Sequence, residues 1–143
     1  MSRVLCLAVG ALLIVACRPT TYGGLQAECG EAVSFPSGGR ASQYAEHPIV
    51  VAPGELVRLY VVNAGPNRIS SFHVVGGIFE RVYEDGTQAN PLIGVQTVNI
   101  PVDGGSIFEV RLREAGDYPF VTHAFADATK GVVGVLRAVA PAD

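Results

Sequence analysis

Two histidines, His73 and His123, are the residues whose settings could carry chemistry. His73 stands in the run Ser70-Ser71-Phe72-His73-Val74-Val75-Gly76, and His123 closes the run Gly116-Asp117-Tyr118-Pro119-Phe120-Val121-Thr122-His123. Each is read at the end of an apolar strand, at the mouth of a loop. A rigid β scaffold fixes the geometry of side chains displayed at its strand ends, as a metal site requires, and imidazole suits copper and zinc. Taken singly, either histidine reads as an ordinary core residue. His47, which precedes Pro48, reads as a surface residue. Glu80, Glu84 and Asp85 read as solvated carboxylates. The sequence has no Gly-rich phosphate loop, no nucleophile elbow and no Cys-x-x-Cys pair.

The elements that must position these histidines are short strands. Gly 17 and Pro 9 in 143 residues, with no long Ala/Leu/Glu/Lys run after residue 20, favour strands joined by turns. Strand patterns fall at 49–52, 56–63, 70–75, 78–83, 95–100, 106–113, 117–122 and 132–139. Turns follow at Pro53-Gly54, Asn63-Ala64-Gly65-Pro66-Asn67, Gly76-Gly77 and 101–105, and loops at 84–94 and 123–130. The run 106–113 alternates cleanly, with Ile107, Glu109, Arg111 and Arg113 on one face and Phe108, Val110 and Leu112 on the other. Some eight short strands at regular spacing predict an all-β fold, a single Greek-key sandwich or barrel over 47–139.

The N-terminal region reads differently. Residues 1–16 open Met-Ser-Arg and continue as an almost wholly apolar run, the pattern of an export signal. That run is shorter than the roughly 20 apolar residues of a membrane-spanning helix. It ends Leu13-Ile14-Val15-Ala16-Cys17, which resembles a bacterial lipobox and predicts lipidation of Cys17. The expected location is therefore the cell envelope, on the exported side, with the lipid anchor as the sole membrane contact. Several acyl chains hold where one binds only marginally. Residues 17–46 read as a tether with room for one edge strand around 32–35. Cys6 leaves with the signal, so Cys29 has no partner for an internal disulfide. The net charge is −3 and the Lys and Arg residues are scattered, which excludes the concentrated positive charge that nucleic-acid binding needs.

Residues 47–138 resemble the second, C-terminal cupredoxin domain of copper-containing nitrite reductases and related two-domain multicopper oxidases. The resemblance is carried by Val57-Arg58-Leu59-Tyr60-Val61, by Ser-Ser-Phe-His-Val-Val-Gly running on to Ile78-Phe79, and by Gly-Asp-Tyr leading to His123 and then Lys130-Gly131 with a Gly-rich final strand. It implies a cupredoxin fold, with His123 as a type 2 copper ligand and His73 as the catalytic acid–base group above the metal, relaying a proton to bound nitrite. Val75 matches an aliphatic residue that crowds the open copper position. Thr122 stands where the family often has an acidic residue, and the loop after His123 is shorter. The family's site also takes two histidines from a first cupredoxin domain of a neighbouring subunit, and electrons from a type 1 copper. A type 1 site wants a cysteine, two histidines and usually a methionine. Here Met1 is the sole methionine and Cys29 precedes the fold, so no type 1 site is expected. The implied partners are a second cupredoxin, an electron-donor protein or further copies of the chain. Two other readings remain open: direct copper chelation by both histidines in a non-enzymatic copper-handling lipoprotein, and a metal-free interaction module.

Overall fold

A computed structural model describes residues 3–9, 12–15, 42–63 and 67–140. Ten strands and two single-turn helices run in the order β1 (Arg3–Val9), β2 (Leu12–Val15), α1 (Gln43–Glu46), β3 (Ile49–Val51), β4 (Leu56–Asn63), β5 (Ser70–Val74), β6 (Phe79–Glu84), β7 (Thr97–Ile100), β8 (Gly105–Arg111), β9 (Gly116–Thr122), α2 (Phe125–Ala128) and β10 (Val133–Ala138). One sheet has the order β1-β2-β4-β8-β6 and the other β3-β10-β9-β5-β7. From β3 to β9 each successive strand crosses to the opposite sheet, and β9 and β10 then pair as an antiparallel hairpin. This is the expected all-β Greek-key sandwich.

The strands form because their apolar residues repeat every second position, so the pleat sends one set inward. β4 buries Val57, Leu59, Val61 and Asn63 while Arg58, Tyr60 and Val62 face outward. Four phenylalanines from four strands meet between the sheets: Phe108 lies 4.8 Å from Phe72 and 4.7 Å from Phe79, and Phe120 lies 6.1 Å from Phe72, measured between ring centres. Separations of this size suit tilted aromatic pairs. Gly134 on β10 is required by this packing, because a Cβ there would come within 2.1 Å of the Phe120 ring and 2.7 Å of Tyr44.

Two features differ from the sequence expectation. Residues 43–46, read as the end of the tether, form α1. Its Tyr44 is buried against β10, and the Ser42 N–H donates to the Gly131 carbonyl at 2.9 Å. The loop after His123 contains α2, a turn closed by Thr129 N–H to Phe125 at 3.0 Å. In the unprocessed chain, residues 3–9 and 12–15 form β1 and β2 along the edge of β4. An unpaired strand edge offers backbone groups that any extended segment can bind. Cys17, Cys29 and the edge strand expected around 32–35 lie outside the described residues. Among the described residues no helix is long and apolar enough to cross a membrane.

The alternation of β8 puts Glu109 on one face with Ile107 and Arg111, opposite Phe108 and Val110. It does lie on the outer face, yet its side chain is only 2% exposed. Arg58 on β4 donates through Nε at 3.0 Å and also through Nη2, and Arg81 on β6 lies at 3.6 Å. Burial works against the Arg58 charge, but the Glu109 carboxylate outweighs it and holds the guanidinium above its ordinary range. The guanidinium groups of the two arginines flank the carboxylate, one on each oxygen.

Candidate metal centre

Inward placement of Phe72 decides where His73 points. On β5 the alternation buries Ser70, Phe72 and Val74, so Ser71 and His73 face away from the core, with Val75 following on the same side. On β9 the same alternation buries Phe120 and Thr122 and turns Val121 outward. β5 and β9 are antiparallel neighbours with His73 opposite Val121 and Phe72 opposite Thr122. The ladder continues one residue past β9, where the His123 N–H donates to the Ser71 carbonyl at 2.8 Å. Both histidines therefore stand on the outer face of one sheet, with ring centres 5.2 Å apart. His73 is the penultimate residue of β5, just before the turn at Val75-Gly76, near the strand end expected for it. His123 is at a strand end, the first residue after β9.

The surroundings give the two rings different tasks. His73 Nδ1 lies 2.8 Å from the Gln96 carbonyl oxygen and 3.2 Å from Thr97 Oγ1. A carbonyl oxygen can only accept, so the proton sits on Nδ1 and the lone pair of neutral His73 sits on Nε2, the atom turned away from this anchor. Among the described residues His123 has no such anchor: its ring centre lies 5.3 Å from that of Phe125, with the planes inclined by 70°, and the residue is exposed. Thr122 points inward, and its Oγ1 accepts the Ala124 N–H at 3.3 Å, which turns the chain from β9 toward α2. Sequence reading missed Gln96, Thr97 and Phe125. Gln96 acts through its backbone, which no side chain advertises. Phe125 is placed by a helical turn that four residues of sequence do not signal.

The face around the pair is apolar near the rings and charged at its margin. Val75 is 45% exposed and Phe125 61%, while Val121, Val133 and Val135 are half-buried. At the far end Arg137 and Asp117 form a two-pronged ion pair at 2.7 and 2.8 Å, and the guanidinium hydrogen bonds hold the Asp117 carboxyl below the usual carboxylate range. His47 is exposed at the C-terminus of α1 and takes no part in the pair. Two neutral imidazoles are a fitting donor set for copper. Among the described residues no group of three or more His, Cys, Asp or Glu side chains could complete a metal site.

The two-sheet Greek-key sandwich has the cupredoxin fold. The specific likeness is to copper-containing nitrite reductases. Those of Neisseria meningitidis serogroup A and Neisseria gonorrhoeae are each 44% identical to this chain over 87 residues, covering 59% of it and 22% and 21% of their own lengths. The solved copper-containing nitrite reductase of Thermus scotoductus superposes with a TM-score of 0.70 at 43% identity, over 73% of this chain and 25% of that one. A solved multicopper oxidase superposes with a TM-score of 0.66 at 26% identity, over 84% of this chain and 40% of that one. No family model matches. The chain thus spans about a fifth of the length of the curated relatives it matches, and its homologues are copper proteins built from more than this one domain.

Proposed function

We propose that the chain is an exported, lipid-anchored cupredoxin that supplies half of a type 2-like copper site, completed by a partner domain, and that the complete site reduces nitrite. The observation that carries this reading is the convergence of His73 and His123 on an outward face without a third ligand among the described residues. His123, exposed and free of a ring anchor, would hold the metal. When bound, copper would accept and donate a single electron and act as a Lewis acid toward an oxygen ligand. His73 would hold a proton at Nε2 and pass it to the substrate, because breaking an N–O bond of nitrite takes up protons. Gln96 and Thr97 keep the His73 ring oriented for that transfer. Val75 and Phe125 form an apolar collar that a partner would cover, excluding water from the site. The remaining imidazoles and the type 1 copper would come from that partner. Cys17 would carry the lipid.

The test mixes the purified chain with a cupredoxin protein that has a type 1 copper, and measures nitrite turnover and copper content. The chain alone should show turnover near background. With the partner, His123→Ala should lose the type 2 copper, whereas His73→Ala should keep it and slow turnover by roughly 10²–10⁴, the usual worth of a positioned acid–base group. Equal turnover by the parent and both variants would refute the reading.

A further inference from the structure

Removal of residues 1–16 with an export signal would strip one edge of the sandwich. β4 bonds to β8 on one side, and on the other it carries β1 and β2. Arg3–Cys6 lie parallel to Val57–Tyr60, and Leu12–Val15 lie antiparallel to Tyr60–Asn63. The edge therefore accepts strands of either direction. Alternate residues of β4 turn their backbone N–H and C=O groups away from β8. Without β1 and β2, a strand of 8 residues would present that row of groups bare. Its core-facing Val57, Leu59 and Val61 are no more than 1% exposed with β1 and β2 in place. A bare edge of this length pairs with whatever extended chain can reach it.

Pattern, reach and direction select residues 32–35 as the replacement. The segment reads Ala32-Val33-Ser34-Phe35. In a strand Val33 and Phe35 would share one side of the pleat, and Ala32 and Ser34 the other, which suits a strand with one buried face. The chain meets β10 at Ser42, whose N–H donates to the Gly131 carbonyl at 2.9 Å, and leads through α1 into β3. Only residues 52–55 join β3 to β4, so the β3 edge of one sheet and the β4 edge of the other lie on the same side of the sandwich. Residues 36–41 can reach about 20 Å, more than the ~10 Å between packed sheets. β4 runs back from the 52–55 turn, so its end lies level with the start of β3. A strand leading on to Ser42 runs toward that end, parallel to β4, as Arg3–Cys6 already do.

We propose that the β4 edge is a strand-exchange site: it holds β1 and β2 in the unprocessed chain, and once residues 1–16 are removed it takes residues 32–35 of the same chain as a parallel strand. The inference rests on the exported, lipid-anchored reading for the cut itself. Docking would use up part of the tether. The free chain beyond Cys17 would shrink from residues 18–41, a reach of about 85 Å, to residues 18–31, a reach of about 50 Å. The exchange thus sets how far the histidine face can stand from the membrane. It also leaves β4 no edge for a second sandwich to pair with.

Residue-resolved amide hydrogen exchange on the protein purified from the cell envelope, with its N-terminus read by mass spectrometry, tests this. Cys17→Ala, which has no thiol to take the lipid, supplies the chain that keeps residues 1–16. In the cut parent the β4 amides that point away from β8 should be protected at every protein concentration. Val33→Asp should speed their exchange by roughly tenfold or more, because a charge on the buried side of the strand opposes docking. Ser34→Asp, on the outward side, should leave them protected. Neither substitution should alter β4 exchange in the Cys17→Ala chain, where β1 and β2 hold the edge. Protection of β8, which is bonded by β4 and β6, reports that the sandwich stands in every variant. Free exchange along the β4 edge in the cut parent, or protection that survives Val33→Asp, would overturn the strand exchange and leave the lipid-anchored reading standing. Protection that appears only at high concentration would overturn it as well, by giving the edge to a second copy. A parent isolated with residues 1–16 still attached would overturn the lipid-anchored reading and the exchange with it.

Discussion

At the scale of a residue, the protonation pattern of His73 is the most consequential detail. Free imidazole in water keeps both tautomers accessible, but the Gln96 carbonyl at 2.8 Å admits only a donor at Nδ1. The Thr97 hydroxyl at 3.2 Å adds a second acceptor on the same side. Nitrogen-detected NMR of the histidine rings should therefore show neutral His73 as the Nδ1–H tautomer, with His123 not so constrained. Thr97→Val should preserve that tautomer, because the stronger partner is backbone, and should cost about 1 kcal/mol or less, as loss of one half-exposed hydrogen bond does. Finding neutral His73 as the Nε2–H tautomer would show that the Gln96 carbonyl does not hold the ring as a proton acceptor.

At the scale of elements, two antiparallel strands place the pair and a third relation steadies the sheet opposite. β5 and β9 can present His73 and His123 on one face because each buries a phenylalanine beside it, Phe72 and Phe120, and the pleat fixes the rest. In the other sheet β4, β8 and β6 are tied across their outer face by Arg58, Glu109 and Arg81. Glu109 Oε2 has no hydrogen-bond partner and relies on Arg81 at 3.6 Å for compensation. Removing one member of a buried ion pair strands the other. Glu109→Ala should destabilise the fold by about 2–4 kcal/mol in denaturant melts, because Arg58 would keep its charge with its main partner gone. Arg58→Met together with Glu109→Leu should recover most of that loss. A Glu109→Ala protein as stable as the parent would show that the carboxylate contributes nothing net.

At the scale of the whole molecule, the asymmetry between the two outer faces matters. The face of β4, β8 and β6 is laced with charge pairs, whereas the face of β5, β9 and β10 shows imidazole and exposed apolar side chains with charges at its margin. No cysteine lies between residues 30 and 143, so strands β3 to β10 have no thiolate to offer copper. The copper-loaded protein should accordingly lack the intense visible band of a blue-copper site, leaving only weak absorption from nitrogen and oxygen ligands. An intense band that vanishes in Cys29→Ser would overturn that expectation.

The amino-acid sequence by itself determined the sandwich, because alternating burial is written directly into strands such as Leu56–Asn63, and its turns are marked by Gly and Pro. It also singled out His73 and His123 through their neighbours, together with the resemblance those neighbours carry. Only the tertiary structure decided that the two rings meet. They are fifty residues apart in the chain, and no local pattern encodes a register that sets His73 beside Val121 and His123 beside Ser71. The same holds for the tautomer of His73, which depends on a backbone carbonyl brought by β7's approach, and for the burial of Glu109, whose alternation correctly predicts an outward side chain but not the two arginines from other strands that close over it. Periodicity reports which side of a strand a residue takes. What stands above that side is a matter of long-range pairing, which the chain settles only once it folds.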